Sequence, residues 1–143
     1  MNISLGSEEY IEAALETAKL AYAPYSGYRV GCVVVTTEDE IYRGANIENG
    51  SYGLTCCAER VALYHAMMHG KGPGDIKAVV IASTDDSFPS PCGACRQVLA
   101  ELAPQARVVT SNGKAVKVAT VSELLPAVFS LRPGDHNSPI TNH

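Results

Sequence analysis

The chain predicts an α/β fold with a single mixed sheet of five strands, and three observations carry that expectation. Helical and extended periodicities alternate along its 143 residues. The run Ile76–Ser83 is apolar almost without a break, the pattern of a strand covered on both faces. Two strand pairs are joined by turns too short for a crossover, whereas a third pair encloses a helix, so antiparallel and parallel pairings coexist. The length is that of one domain, expected to extend over 1–143.

From Ser7, an apolar stripe of Ile11, Ala14, Leu15, Ala18 and Tyr22 recurs at helical spacing. Ser7 is the expected N-cap, Glu8 and Glu9 suit the positive helix start, and Pro24 is the stop. Residues 29–36 and 40–46, rich in Val and Ile, read as an antiparallel hairpin joined by the polar Thr37-Glu38-Asp39 turn. After a loop over 48–55, the segment 57–69 reads as a helix apolar around much of its surface, with Gly70 as its stop. Gly72-Pro73-Gly74 breaks the chain before Ile76–Ser83, the expected central strand. Pro91 leads into a third helix, Gly93–Leu102, and a parallel crossover then delivers a fourth strand, Arg107–Ser111. The Asn112-Gly113 turn returns the chain antiparallel over 115–120. A short last helix is expected over 123–130, interrupted by Pro126. The segment 131–143, with Pro, Gly, Asn and Ser and no periodicity, is expected to be an extended or mobile arm.

Hydrophobic residues make up 46% of the chain, yet no apolar run approaches the ~20 residues of a membrane span. Residues 1–6 lack the basic and apolar regions of a secretory signal, so the expected location is cytoplasmic. A formal charge of −4 with scattered Lys and Arg argues against a nucleic-acid partner, and nothing points to a membrane. Five Cys is an odd number for a disulfide framework, and three of them fall at metal-ligand spacing. Cys32 and Cys56 read as small buried hydrophobes. His65 and His69, four apart on a predicted helix, could form a metal pair, but no acidic motif accompanies them. With His136 and His143 they read as satisfied or solvated side chains.

The chemistry concentrates in Cys57-Ala58-Glu59-Arg60 and Pro91-Cys92-Gly93-Ala94-Cys95. Zinc prefers four ligands, so the three thiolates of Cys57, Cys92 and Cys95 would leave one position for water, whereas a structural site normally closes with a fourth Cys or His. Cys57 and Glu59 are two apart, about 160° around a regular helix, so both approach one ion only if it lies ahead of a helix start. The positive ends of two helices would offset three thiolates and a carboxylate. Arg60 and Arg96, each beside a ligand, are candidates to donate hydrogen bonds to the thiolates. Glu59 beside an activated water can take its proton and deliver it to a substrate nitrogen, which fits hydrolytic removal of an amino group from an aromatic base. The order of residues is that of the zinc deaminase signature, in which a Glu follows the first ligand by two residues and P-C-x-x-C comes later.

The chain resembles the small homotetrameric cytidine deaminases. The resemblance rests on residues 23–31 (APYSGYRVG), 46–49 (NIEN), 57–60 (CAER), 91–97 (PCGACRQ) and 123–126 (ELLP). It implies a three-layer α/β/α arrangement with the five-stranded sheet between helices. It implies one zinc per subunit and conversion of cytidine and 2′-deoxycytidine to uridine and 2′-deoxyuridine plus ammonia, in pyrimidine salvage. By the same resemblance, Asn46 and Glu48 bind ribose hydroxyls. The backbone of Ala58 and Ser90 holds the pyrimidine edge, and Glu59 protonates N3 and helps ammonia leave. Tyr28 stands where the family usually has Phe against the base. Phe129 and Tyr52 match residues that reach a neighbouring subunit's site, so the expected assembly is a homotetramer with shared active sites.

Two other readings stay open on the sequence. A deaminase of a cytosine-containing antibiotic of the blasticidin type would share the zinc motifs, although Asn46-Ile47-Glu48 favours a ribose. A zinc-stabilised binding or structural protein would keep the metal without turnover.

Overall fold

The computed structural model describes residues 7–131. The arm expected over 131–143 therefore lies, beyond Leu131, outside the described residues. In chain order the elements are α1 (Ser7–Ala18), β1 (Val30–Thr36), β2 (Ile41–Ala45), α2 (Ala58–Met68), β3 (Ile76–Ser83), α3 (Gly93–Leu102), β4 (Arg107–Ser111), β5 (Val116–Thr120) and α4 (Val121–Leu124). The sheet order is β2-β1-β3-β4-β5, so β3 is central, as its apolar run predicts. β1 pairs antiparallel with both β2 and β3, β3 pairs parallel with β4, and β5 returns antiparallel on β4.

Strand alternation divides the core into two layers. Val33, Val35, Ala78, Val80, Ala82 and Val109 face α1, where Ile11 and Ala14 meet them. Cys32, Val34, Val79, Ile81 and Val108 face the other way, toward Ala62, Leu63 and Ala66 of α2 and Leu99 of α3. The result is the three-layer α/β/α arrangement. Two glycines set how closely the layers approach. A Cβ on Gly31 would collide with the backbone of Ala14 and Ala18, and one on Gly44 with the backbone of Ala58 and Ala62. α1 and α2 therefore press directly onto the sheet backbone, from opposite faces.

Apart from shifts of a single residue, the structure differs from the sequence expectation at the start and end of α1 and at the last helix. Ser7 is already helical, so it does not flank α1 as a cap. α1 stops at Ala18 and does not continue to Tyr22, because Leu20 and Ala21 donate to carbonyls three residues back and Tyr22 leaves to pair with Ile47. Arg29 Nη1 donates to the Ala21 and Lys19 carbonyls at 2.8 and 3.3 Å, closing that end. The last helix begins earlier and is shorter than 123–130. Thr120 caps it in a reciprocal box, accepting from Glu123 N at 3.1 Å while Thr120 N donates to Glu123 Oε1 at 2.7 Å. Pro126 keeps Leu125 extended (φ −143°), and Ala127 turns to φ 52°.

Candidate metal centre and active-site cleft

α2 and α3 both start at the end of the sheet where β2 and β3 finish and β1 begins. Each is capped by a cysteine in extended backbone, Cys57 (φ −72°, ψ 156°) and Cys92 (φ −71°, ψ 173°), and neither sulfur is used as a cap. The N-terminal N–H groups and dipoles of both helices thus converge on the same space. Cys95, one turn into α3, completes the group. The three Sγ atoms lie within 4.8 Å of one another, and Cys57 Sγ and Cys92 Sγ are 3.9 Å apart. Two sulfurs bound to zinc at 2.3 Å with a tetrahedral angle sit about 3.8 Å apart, so donor chemistry and spacing both fit that ion.

The electrostatics of the cluster follow from its packing. Hydrogen bonding from the Cys95 thiol, then from Arg60 and Cys92, lowers the Cys57 thiol to about 5 despite its burial. Cys95, giving its proton toward Cys57 and itself buried, is held well above the ordinary thiol range. Arg60 Nη2 lies 3.6 Å from Cys57 Sγ and 3.4 Å from the Thr55 carbonyl, and the contact with Cys57 raises the guanidinium further. Its Nε is buried with no hydrogen-bond partner among the described residues. Glu59, second residue of α2 and 4% exposed, is raised to about 7, chiefly by burial and then by the adjacent Cys57 charge.

Arg96 is used differently from its sequence expectation as a thiolate donor. All three guanidinium nitrogens donate to oxygen: Nε to Pro91 O at 2.7 Å, Nη1 to Leu124 O at 2.8 Å and Nη2 to Ser90 Oγ at 3.1 Å. It binds the loop before Cys92 to the end of α4.

Cys57, Cys92 and Glu59 line a cleft of about 610 Å³, together with Tyr28, Val30, Asn46, Glu48, Ala58 and Ser90, while Cys95 is buried behind them. Such a volume suits a small organic ligand. Asn46, at the end of β2, accepts from Val30 N at 2.9 Å and donates from Nδ2 to Tyr28 O at 2.8 Å. Its amide therefore braces the start of β1 and keeps one N–H to spare. Glu48 accepts from Tyr25 N at 2.9 Å, Ser26 N at 3.2 Å and Ser26 Oγ, and the Ser26 hydroxyl in particular lowers its pKa.

Tyr52 and Phe129 lie outside this lining. Tyr52 is 76% exposed, edge-on to Tyr25 with ring centres 6.2 Å apart, and Phe129 is 64% exposed with its carbonyl held by Gln97 Nε2 at 3.1 Å. The sequence reading missed the opposite wall, formed by Asp85, Ser87, Phe88 and Pro89. Phe88 carries Lys117 Nζ 4.2 Å from its ring centre, a contact between the loop and β5. The signal available was topological: ligands in open α/β sheets collect beyond the carboxyl ends of strands, and 84–92 is the loop leaving β3.

Comparison with known proteins gives a consistent result. Residues 6–111 match the family model described as the cytidine and deoxycytidylate deaminase zinc-binding region. A cytidine deaminase of Halalkalibacterium halodurans is 46% identical over 123 residues, covering 84% of this chain and 91% of that protein. One of Sporosarcina psychrophila is 38% identical over 125 residues, covering 86% and 90%. The crystal structure of cytidine deaminase from Burkholderia pseudomallei superposes with a TM-score of 0.82 at 40% identity, covering 90% of this chain and all of that one.

Proposed function

The chain belongs to the cytidine and deoxycytidylate deaminase family, and from that premise we propose that it is a hydrolase converting cytidine and 2′-deoxycytidine to uridine and 2′-deoxyuridine with release of ammonia. The observation that carries this reading is the placement of one buried carboxyl, Glu59, at the α2 start that also brings Cys57 to the three-thiol cluster, on the lining of one cleft. Bound by Cys57, Cys92 and Cys95, zinc supplies a Lewis acid that makes a water molecule a nucleophile near neutral pH.

The protein's own residues supply the rest. A carboxyl poised near 7 can both accept and return a proton at working pH, so Glu59 takes the proton of the attacking water, delivers it to N3 of the pyrimidine and assists departure of the amine from C4. Arg60 holds the Cys57 sulfur in its anionic form. As the first residue of α2, Ala58 has an N–H that the helix does not use, which suits the pyrimidine O2. Ser90 N–H is taken by Phe88 O at 2.9 Å, leaving the Ser90 carbonyl for the amino group. The spare N–H of Asn46 and the carboxylate of Glu48 suit ribose hydroxyls, and the Tyr28 ring offers a face to the base.

The cleft lining favours a nucleoside over a nucleotide. Glu48 and Asp85 line it and, among the described residues, no Lys, Arg or His does, so a 5′-phosphate would meet like charge there. One domain over 1–143 carries the activity in this reading. Tyr52 and Phe129, exposed and outside the lining of their own cleft, are assigned to neighbouring sites in a homotetramer. Five unpaired thiols suit a reducing compartment, consistent with the cytoplasm, and no helix of the described residues is long and apolar enough to cross a membrane.

The deciding experiment incubates zinc-loaded protein separately with cytidine, deoxycytidine, deoxycytidine monophosphate, free cytosine and blasticidin S, and follows product and ammonia. Turnover of the two nucleosides alone is expected. Turnover of the monophosphate or of blasticidin S in their place would overturn the substrate assignment, and no turnover with zinc bound would overturn the enzyme.

A further inference from the structure

We propose that His65 and His69 form a second, surface metal site that takes a borderline divalent transition ion such as Ni²⁺, Cu²⁺ or Zn²⁺. The proposal rests on the geometry of α2 and not on the deaminase reading. The two histidines are exposed, one turn apart, and His65 lies about 12 Å along the helix from its Cys57 end.

Hydrogen bonding sets both tautomers. His65 Nδ1 is 3.2 Å from the Arg43 carbonyl oxygen, and His69 Nδ1 is 2.9 Å from the His65 carbonyl oxygen. A carbonyl oxygen only accepts, so each Nδ1 carries a proton and each neutral ring keeps its lone pair on Nε2. Metal-ligating histidines are prepared in this way, with one ring nitrogen donating to a carbonyl and the other facing the ion.

Ring placement meets the distance that a shared ion requires. The two ring centres are 4.9 Å apart, with their planes at 71°. A metal 2.0–2.1 Å from an imidazole nitrogen is about 3.2 Å from that ring's centre, so rings whose centres are this far apart would subtend about 100° at an ion that both Nε2 atoms face. That angle lies between octahedral and tetrahedral values. Tyr42 touches both rings, with centres 5.3 Å from His65 and 5.1 Å from His69, which restricts their rotation before any ion arrives. Imidazole pairs suit Ni²⁺, Cu²⁺ and Zn²⁺, and waters would complete the coordination.

The test titrates Ni²⁺ calorimetrically into zinc-loaded protein freed of excess metal, with His65→Gln, His69→Gln and a His136→Gln/His143→Gln double variant in parallel. Zinc content is checked before and after. One equivalent of Ni²⁺ bound in the micromolar range is expected, weakened at least about tenfold in each α2 variant and unchanged in the double variant. The Cu²⁺-loaded protein should show an electron paramagnetic resonance pattern of two equatorial nitrogens. Absence of Ni²⁺ binding by the zinc-loaded protein, wild-type affinity in either His65→Gln or His69→Gln, or loss only in the double variant would overturn the site. Deaminase activity of both α2 variants is expected to be unchanged, so the catalytic reading stands or falls separately.

Discussion

Cys57 and Cys92, 35 residues apart in sequence, each cap the start of a different helix and bring their sulfurs to 3.9 Å. The pairing concentrates negative charge where two helix dipoles are positive. With the metal stripped by a chelator, Cys57 should therefore remain a thiolate at mildly acidic pH, its pKa held near 5 by the Cys95 thiol and Arg60. Iodoacetamide at pH 6, read by peptide mass spectrometry, should label Cys57 first in the stripped protein and hardly at all in the zinc-loaded one. Equal labelling of Cys57 and Cys32 would contradict this, since burial raises Cys32 well above the ordinary thiol range.

Glu59→Gln should lower kcat by about 10²–10⁴-fold while zinc content stays at one per chain, because an amide neither accepts nor returns the proton. Metal analysis and steady-state rates on one preparation decide it. Retained activity would remove Glu59 from the chemistry.

The same substitution reports on stability. Burial raises the folded-state pKa of Glu59 to about 7, above that of the unfolded chain, so between the two values the native state binds the extra proton. Stability is then full below the unfolded pKa and falls as pH rises through 7, by up to about 3 kcal/mol. In zinc-free protein, Glu59→Gln should match wild type near pH 4 and exceed it at pH 8 in urea unfolding. A pH-independent difference would contradict the assignment. The Cys57 thiolate acts in the opposite direction in both proteins and drops out of the comparison.

Gly44→Ala places a methyl against the backbone of α2 at Ala58 and Ala62. A cost of at least about 1–3 kcal/mol is expected, and because that helix start carries Cys57 and Glu59, activity should fall more than thermal stability alone explains. Unchanged Tm and kcat would show that α2 can shift freely.

Arg96→Ala should lower kcat/KM about ten- to hundredfold with zinc retained, since it releases Ser90, Pro91 and Leu124 and no sulfur. Loss of zinc would instead return Arg96 to the thiolate role expected from sequence.

Much of this architecture was readable in the chain. The bounds of β3, α3 and β4 coincide with the apolar runs and their Pro and Gly breaks, because in each case local pattern and tertiary burial agree. The end of α1 was not readable, since Arg29 and the Tyr22–Ile47 bridge override an apolar stripe that continues past it. α4 lies earlier than expected because the Thr120-to-Glu123 box starts it and Pro126 keeps the chain before it from continuing the helix. Within the site, the cysteine spacing made the cluster legible from sequence. The attachment of Arg96 to Leu124 and of Lys117 to Phe88 depends on chain segments that only the folded sheet makes neighbours.

The stretch between Cys57 and Cys92 contains β3, the strand that β1 and β4 flank. The ligands thus meet across the middle of the sheet, and α2 is seated on it by its close approach at Gly44 and by the apolar layer. The metal centre is thus a product of tertiary structure: its three sulfurs come from the starts of two helices, and the strand between them in sequence lies at the middle of the sheet.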